Sequence, residues 1–168
     1  ALSWQGLSLI RELEMDRQVD KVVALDLQKP SFPLSKTEFV KTDLTVPGVD
    51  AQLASVLRAE RVDTVVHLAF LSNFVHQASW AHEFESIGTM HVLNACSESA
   101  VHKLVHWGHS ICYGARAQHP AYLREDHVLD DDLPVWVPIP ALAEIQIALE
   151  NAVAEVSKVQ GYELKRIM

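Results

Sequence analysis

The sequence lacks the features that characterise nucleic-acid-binding, membrane-spanning and disulfide-stabilised proteins. It has no run of lysine or arginine and a formal net charge of -8, whereas binding to a phosphate backbone needs a concentrated positive face. No apolar run approaches the roughly 18–20 residues that span a bilayer, and no segment has the pattern of a signal peptide. Only two cysteines are present, Cys96 and Cys112, too few to indicate a disulfide framework. We therefore predict a cytoplasmic protein that binds neither nucleic acid nor a membrane.

What the sequence does contain is an alternation of helical and strand patterns over 168 residues. Five apolar segments are typical of strands buried in a parallel sheet; they are KVVALD, TEFVKTDL, VDTVVHLAF, HKLVHW and YELKRIM. Four segments have helical spacing; they are GLSLIRELEMD, VDAQLASVLRAE, residues 78–99 and ALAEIQIALENAVAEVSKVQG. This order predicts an α/β fold with a doubly wound parallel sheet of the Rossmann type, in one domain over residues 1–168.

Several short motifs, in this order and at this spacing, resemble the extended short-chain dehydrogenase/reductase family, the NAD-dependent epimerases and dehydratases of nucleotide sugars. The similarity is carried by VVALD, VKTDL, VDTVVHLAF, GTMHVLNAC, the pair Tyr113–Gly114 and LKRIM. The resemblance implies NAD as cofactor and a small-molecule substrate. Compared with the family pattern, the chain begins without the first strand and ends without the C-terminal substrate lobe. We therefore expect a partial dinucleotide-binding domain.

The resemblance assigns cofactor-binding roles to residues near the ends of the first strands. Asp26 would hydrogen-bond the adenosine ribose, and an acid here favours NAD because it repels the 2′-phosphate of NADP. Gly6 falls on the last glycine of the family's phosphate-binding loop, and Ser3 on the glycine before it. The other predicted residues would lie beside adenine or line the cofactor groove; they are Asp43, Leu44, Leu68, Ala69 and Phe70.

The catalytic positions of the family are all changed in this sequence. Leu142 replaces the tyrosine that acts as acid or base, and Gln146 replaces the lysine that tunes it. His109 stands where the family has the serine that binds the reacting oxygen, and Glu85 where it has an asparagine that supports a proton relay. A positioned acid or base contributes ~10²–10⁴-fold to rate. We therefore assign no catalytic residue for the family's hydride chemistry.

Three functional hypotheses follow from this pattern. In the first, the chain is a degenerate member of the family that at most binds NAD and serves a structural, regulatory or partner-binding role. In the second, it is an active oxidoreductase or epimerase on a sugar nucleotide or similar hydroxyl or keto substrate, with His109 or Glu85 as acid or base; neutral histidine can accept a proton near pH 7. In the third, NAD binding changes its oligomeric state or partner affinity.

The absent first strand also bears on partners. Without that strand, two strand edges at the centre of the sheet would be unpaired. Each buried backbone group left without a hydrogen bond costs roughly 1–3 kcal/mol of folding free energy. A longer chain, direct pairing of the two edges or a partner chain supplying the strand would remove that cost. The resemblance also implies a homodimer through helices 78–99 and 141–158. No metal is predicted: His109 would not share the strand face of His102 and His106, and no cysteine or carboxylate lies at ligand spacing.

Overall fold

The computed structural model describes residues 3–69, 71, 78–108, 113, 119, 120, 122 and 124, and the backbone of residues 163–167. In this part of the chain the α-helices are α1 (Trp4–Met15), α2 (Val49–Ala59), α3 (Ala78–His82) and α4 (Gly88–Ser97). The strands are β1 (Val22–Asp26), β2 (Thr37–Lys41), β3 (Thr64–His67), β4 (Lys103–Trp107) and β5 (Glu163–Ile167). The five strand predictions are confirmed. The helix predicted over residues 141–161 lies outside the described residues.

Helix α1 begins at a side-chain cap. The Ser3 hydroxyl oxygen accepts the Gly6 N–H at 3.1 Å, which satisfies one of the amides that the first turn leaves without a partner. Ile10 is buried, and Leu7 and Leu13 are half-buried on the same face. These three residues form the apolar face of α1, and the helix packs on β1.

The last turn of α1 is tied to the start of β2 by Glu14. Its carboxylate accepts the backbone N–H groups of Ser35 and Lys36 and the hydroxyls of Ser35 and Thr37. These bonds lower the pKa of Glu14 to about 2. Glu14 therefore fixes the end of the loop KPSFPLSK, which leads into β2.

The strands form two parallel sheets. In the first, β1 pairs with β2, with Val22 opposite Thr37 and Asp26 opposite Lys41. In the second, β4 lies between β3 and β5. Because β1 and β3 belong to different sheets, the direct pairing considered above does not occur among the described strands.

One core joins the two sheets. It lies between α2 and α4 and includes Leu53, Leu57, Leu93 and Leu104, with Leu25 from β1 and Val65 from β3 packed against it; its further buried members are Val49, Ala54, Val92, Ala95, Cys96 and Val101. Residues 92, 93 and 96 thus lie together on the buried face of α4. Each fully buried leucine contributes about 1.5–3 kcal/mol by leaving water, so this cluster holds the strand ends in place.

Helices α3 and α4 are joined by a π-helical turn, Glu83–Ile87, in which the Gly88 N–H bonds the Glu83 carbonyl five residues earlier. The helix predicted over 78–99 is therefore present but interrupted. Gly88 lies so close to the loop after β2 that a Cβ there would be 3.1 Å from the Leu44 Cβ. None of the helices in the described residues is long and apolar enough to cross a membrane.

Candidate functional site

The carboxyl ends of the strands form the candidate site, because ligands of doubly wound sheets bind at that edge. Asp26 is the last residue of β1. Its carbonyl accepts the Thr42 N–H at 2.9 Å, and its carboxylate oxygen Oδ1 accepts the Leu27 N–H at 2.7 Å. These two bonds fix both the strand end and the acid that the sequence assigns to the ribose.

Asp43 and Leu44 follow β2 and make local contacts. The Asp43 oxygen Oδ1 accepts the Thr45 N–H at 2.9 Å and the Thr45 hydroxyl at 2.7 Å, and these bonds lower the pKa of Asp43. Leu44 approaches Gly88 and packs against the core. Both residues therefore have a structural role in the turn before α2, and their predicted position beside adenine stays a prediction.

The described residues among those predicted for the phosphate loop and the groove lie in the first turn of α1 and just after β3. Gly6 is buried in the first turn of α1, where its N–H is taken by Ser3. Leu68 and Ala69 directly follow β3 and are half-buried. Four predicted site residues lie outside the described residues, namely Phe70, His109, Leu142 and Gln146.

Glu85 is the most unusual polar side chain of the site. It lies in the π-helical turn, is only 2% exposed, and its oxygen Oε1 accepts the Leu71 N–H at 2.8 Å, just beyond β3. Its other oxygen, Oε2, is buried without a hydrogen-bond partner in the described part of the chain. Burial raises the pKa of Glu85, and the Leu71 N–H partly opposes this. π-Helical turns are rare and frequently occur at functional sites.

A buried histidine pair, which the sequence patterns did not single out, lies beside the site. His67 ends β3 opposite His106 on β4, and the His67 atom Nε2 is 2.8 Å from the Thr89 hydroxyl. Burial, with His106 as a second cause, lowers the pKa of His67 to about 3. Aligning TVVH with KLVH as neighbouring parallel strands would have predicted the pair, because the two histidines share a register position.

The alternative of a histidine metal site does not gain support from this pairing. His102 precedes β4 and is exposed, whereas His106 is buried. Within the described residues, no three histidine, cysteine, aspartate or glutamate side chains are close enough to hold a metal ion.

Two curated relatives match different lengths of the chain. It is 54% identical to the AMP nucleosidase of Escherichia coli (strain K12) over 46 residues, which is 27% of this chain and 10% of that protein. It is 29% identical over 133 residues to an uncharacterised protein of Mycobacterium tuberculosis (strain ATCC 25618 / H37Rv), covering 75% of this chain and 34% of that one. The chain thus spans between a tenth and about a third of the length of these relatives.

Solved structures resemble the chain over almost its whole length. A dTDP-glucose 4,6-dehydratase from Streptomyces venezuelae, crystallised with NAD, has a TM-score of 0.73 at 20% identity, covering 96% of this chain and 50% of that one. A UDP-glucuronic acid 4-epimerase from Bacillus cereus in complex with NAD has a TM-score of 0.69 at 17% identity, covering 96% and 52%. The chain therefore spans about half of each, and the predicted Rossmann-type fold is confirmed.

Family membership is shown by a longer match. The pattern of the NAD dependent epimerase/dehydratase family fits residues 4–162, a range that includes Gly6, Asp26 and Glu85. Together with the parallel strands and the acid that ends β1, this match establishes that the chain belongs to the NAD dependent epimerase/dehydratase family.

Proposed function

We propose that this chain binds NAD at the carboxyl ends of its strands and does not carry out the tyrosine- and lysine-dependent hydride chemistry of its family. The observation that supports NAD binding is the acid at the end of β1, Asp26. The Asp26 carboxylate is held at the strand end by the Leu27 N–H and lies on the β1 side of the break between the two sheets. Dinucleotides bind at such a break in strand order.

The charge of Asp26 supports NAD rather than NADP. A carboxylate accepts hydrogen bonds from ribose hydroxyls, and it repels the 2′-phosphate that distinguishes NADP. Gly6 is buried in the first turn of α1, which supports the close packing that the last glycine of a dinucleotide-binding loop allows. Bound NAD would supply a hydride acceptor; the residues of this chain would supply only its position.

The second half of the proposal depends on the residues that replace the family's acid and base. Leu142 has no exchangeable proton, and Gln146 has no charge with which to tune one. None of the three tyrosines, Tyr113, Tyr122 and Tyr162, has a lysine four residues later. Binding without the family's chemistry is compatible with a structural, regulatory or cofactor-sensing role.

A second candidate is an enzyme with a different acid or base, acting on a sugar nucleotide or a similar hydroxyl or keto compound. One observation favours it, the buried carboxyl of Glu85 next to the end of β3. General acids with a raised pKa are a common catalytic device. The structurally similar dTDP-glucose 4,6-dehydratase and UDP-glucuronic acid 4-epimerase are named for sugar-nucleotide substrates.

A homodimer is part of the proposal. Trp80 on α3 is 41% exposed and stacks on Phe84 in the next turn, with ring centroids 5.3 Å apart. An exposed indole that stacks on a half-buried phenylalanine, on a predicted dimer helix, is the kind of anchor that interfaces use. Sedimentation of the native chain and of the variant Trp80→Ser tests this, because the variant should shift toward monomer.

Calorimetric titration with NAD and with NADP tests the proposed function. We expect saturable NAD binding and at least tenfold weaker NADP binding. Incubation of the NAD-bound chain with UDP-glucose, UDP-glucuronic acid and dTDP-glucose should give neither NADH absorbance nor a new sugar product. Absence of NAD binding would refute the first half, and turnover that is lost in Glu85→Gln would establish the second candidate instead.

A further inference from the structure

The buried carboxyl of Glu85 has an incomplete set of hydrogen bonds within the described residues. In the Glu85 carboxyl, Oε1 accepts the Leu71 N–H, whereas Oε2 is buried and has no partner within the described residues. An ionised carboxylate in this setting would be a buried charge without a counterion, which costs several kcal/mol or shifts the group to its neutral form. The neutral form places an O–H donor on Oε2. Glu85 is therefore expected to hold a proton in the cofactor-free protein.

The surrounding charged and titratable groups do not remove this cost. On the described elements packed against the π-helical turn, these groups are His82, Glu83, His91 and His67, with His106 behind His67 on β4. His91 has its own acidic neighbour, since its Nδ1 is 3.8 Å from the Asp50 Oδ1. The pKa of Glu85 is raised by burial and lowered only by the Leu71 N–H. Among the residues that the structure describes, no cation pairs with the Glu85 carboxylate.

The position of Glu85 indicates which part of a dinucleotide would lie near it. Asp26 ends β1 on one side of the break between the sheets, and Leu71 follows β3 on the other side. A dinucleotide bound across such a break places its two nucleosides on opposite sides. If Asp26 holds the adenosine ribose, the nicotinamide half lies on the side of β3 and Glu85.

We propose that Glu85 is a proton-exchanging residue that distinguishes the two redox states of the nicotinamide: it releases its proton to solvent when NAD⁺ binds and keeps it when NADH binds. The inference rests on the proposed function, namely that the chain binds NAD. The oxidised nicotinamide ring carries a positive charge and the reduced ring is neutral. A positive charge a few ångströms from a buried carboxyl favours the carboxylate, because opposite charges attract strongly where water is excluded.

Proton release on binding is measured by calorimetry in two buffers of different ionisation enthalpy, here phosphate and Tris at pH 7. For the native chain we expect up to one proton released with NAD⁺ and none with NADH. Glu85→Gln should bind NAD⁺ without that release. Glu83→Gln is the matched control, because Glu83 lies in the same π-helical turn and is exposed; it should behave as the native chain.

A second measurement needs no variant. The infrared C=O band of a protonated carboxyl should be present in the cofactor-free chain, disappear with NAD⁺ and persist with NADH. Equal proton release by the native chain and Glu85→Gln, or a carboxyl band that NAD⁺ leaves unchanged, would overturn this inference while leaving NAD binding intact. Absence of binding by both NAD⁺ and NADH would instead overturn the proposed function, and the inference with it.

Discussion

The imidazole rings of His67 and His106 lie stacked across neighbouring strands, with centroids 5.6 Å apart and planes 22° from parallel. Both side chains are buried, and His67 is joined to the Thr89 hydroxyl. Protonating His67 would place a charge in the core beside a second imidazole. The stability of the core near the candidate site therefore depends on His67 remaining neutral.

This arrangement predicts acid-sensitive stability. The pKa of His67 falls from its ordinary 6.5 to about 3 on folding, so between these values the unfolded chain binds the proton and the folded chain does not. Stability should fall as pH drops below 6.5, by at most about 1.4 kcal/mol per pH unit for one histidine. Thermal unfolding between pH 8 and pH 4 measures this. The thermal midpoint of His67→Gln should depend less steeply on pH than that of the native chain. The control His102→Gln, at an exposed site, should have the same pH dependence as the native chain. An identical pH dependence of the native chain and His67→Gln would contradict the prediction.

Glu14 should stabilise the junction between α1 and β2. Glu14→Gln removes the charge that accepts the Ser35 and Thr37 hydroxyls, so we expect a lower thermal midpoint at neutral pH. The pKa of Glu14 is lowered from 4.5 to about 2. The stabilisation is therefore complete above pH 4.5 and is lost as pH falls toward 2. Glu12→Gln, on the same helix, is the control. An equal decrease of its thermal midpoint would show that the effect comes from removing a negative charge from α1 and not from the bonds to Ser35 and Thr37.

Glu85 should have the opposite pH dependence. Its pKa is raised above the ordinary 4.5 by burial, so the folded chain holds the proton more tightly than the unfolded chain does. Stability should therefore fall as pH rises from 4.5 to the raised pKa. Glu85→Gln cannot ionise and keeps an oxygen for the Leu71 N–H. The thermal midpoint of the variant, measured relative to that of the native chain, should therefore increase as the pH rises. A pH-independent difference between the two proteins would argue against a buried neutral acid.

Asp26 should set the preference between NAD and NADP. Asp26→Asn keeps an oxygen for the Leu27 N–H but loses the charge, so we expect NAD binding to weaken by about tenfold or more, since a hydrogen bond to a charged group contributes about 1.5–3 kcal/mol. The gap between NAD and NADP affinity should narrow, because the repulsion of the 2′-phosphate is removed. Calorimetry with both cofactors measures this. Asp20→Asn, just before β1, should leave both affinities unchanged.

The strands were predictable because their apolar runs and flanking turn residues are local signals, as in Val22–Asp26 and Lys103–Trp107. The histidine pair was not singled out, since it depends on the register between β3 and β4, which no single segment encodes. The burial of Glu85 was also not predicted. A glutamate in a helical segment is usually exposed, and only the contact with Leu71 reveals its environment.

The π-helical turn also sets which positions before and after it share a side of the helix. At 100° per residue, an uninterrupted α-helix would place Trp80 and Val92 about 120° apart around its axis. The wider turn, Glu83–Ile87, holds one more residue than an α-helical turn and offsets that angle by about 100°. The turn thus absorbs one residue without changing how α3 is oriented about the axis of α4. Deleting Ser86 should close the turn into a regular α-helix and leave the indole on its present side, whereas inserting a residue into a regular helix would swing it by about 100°.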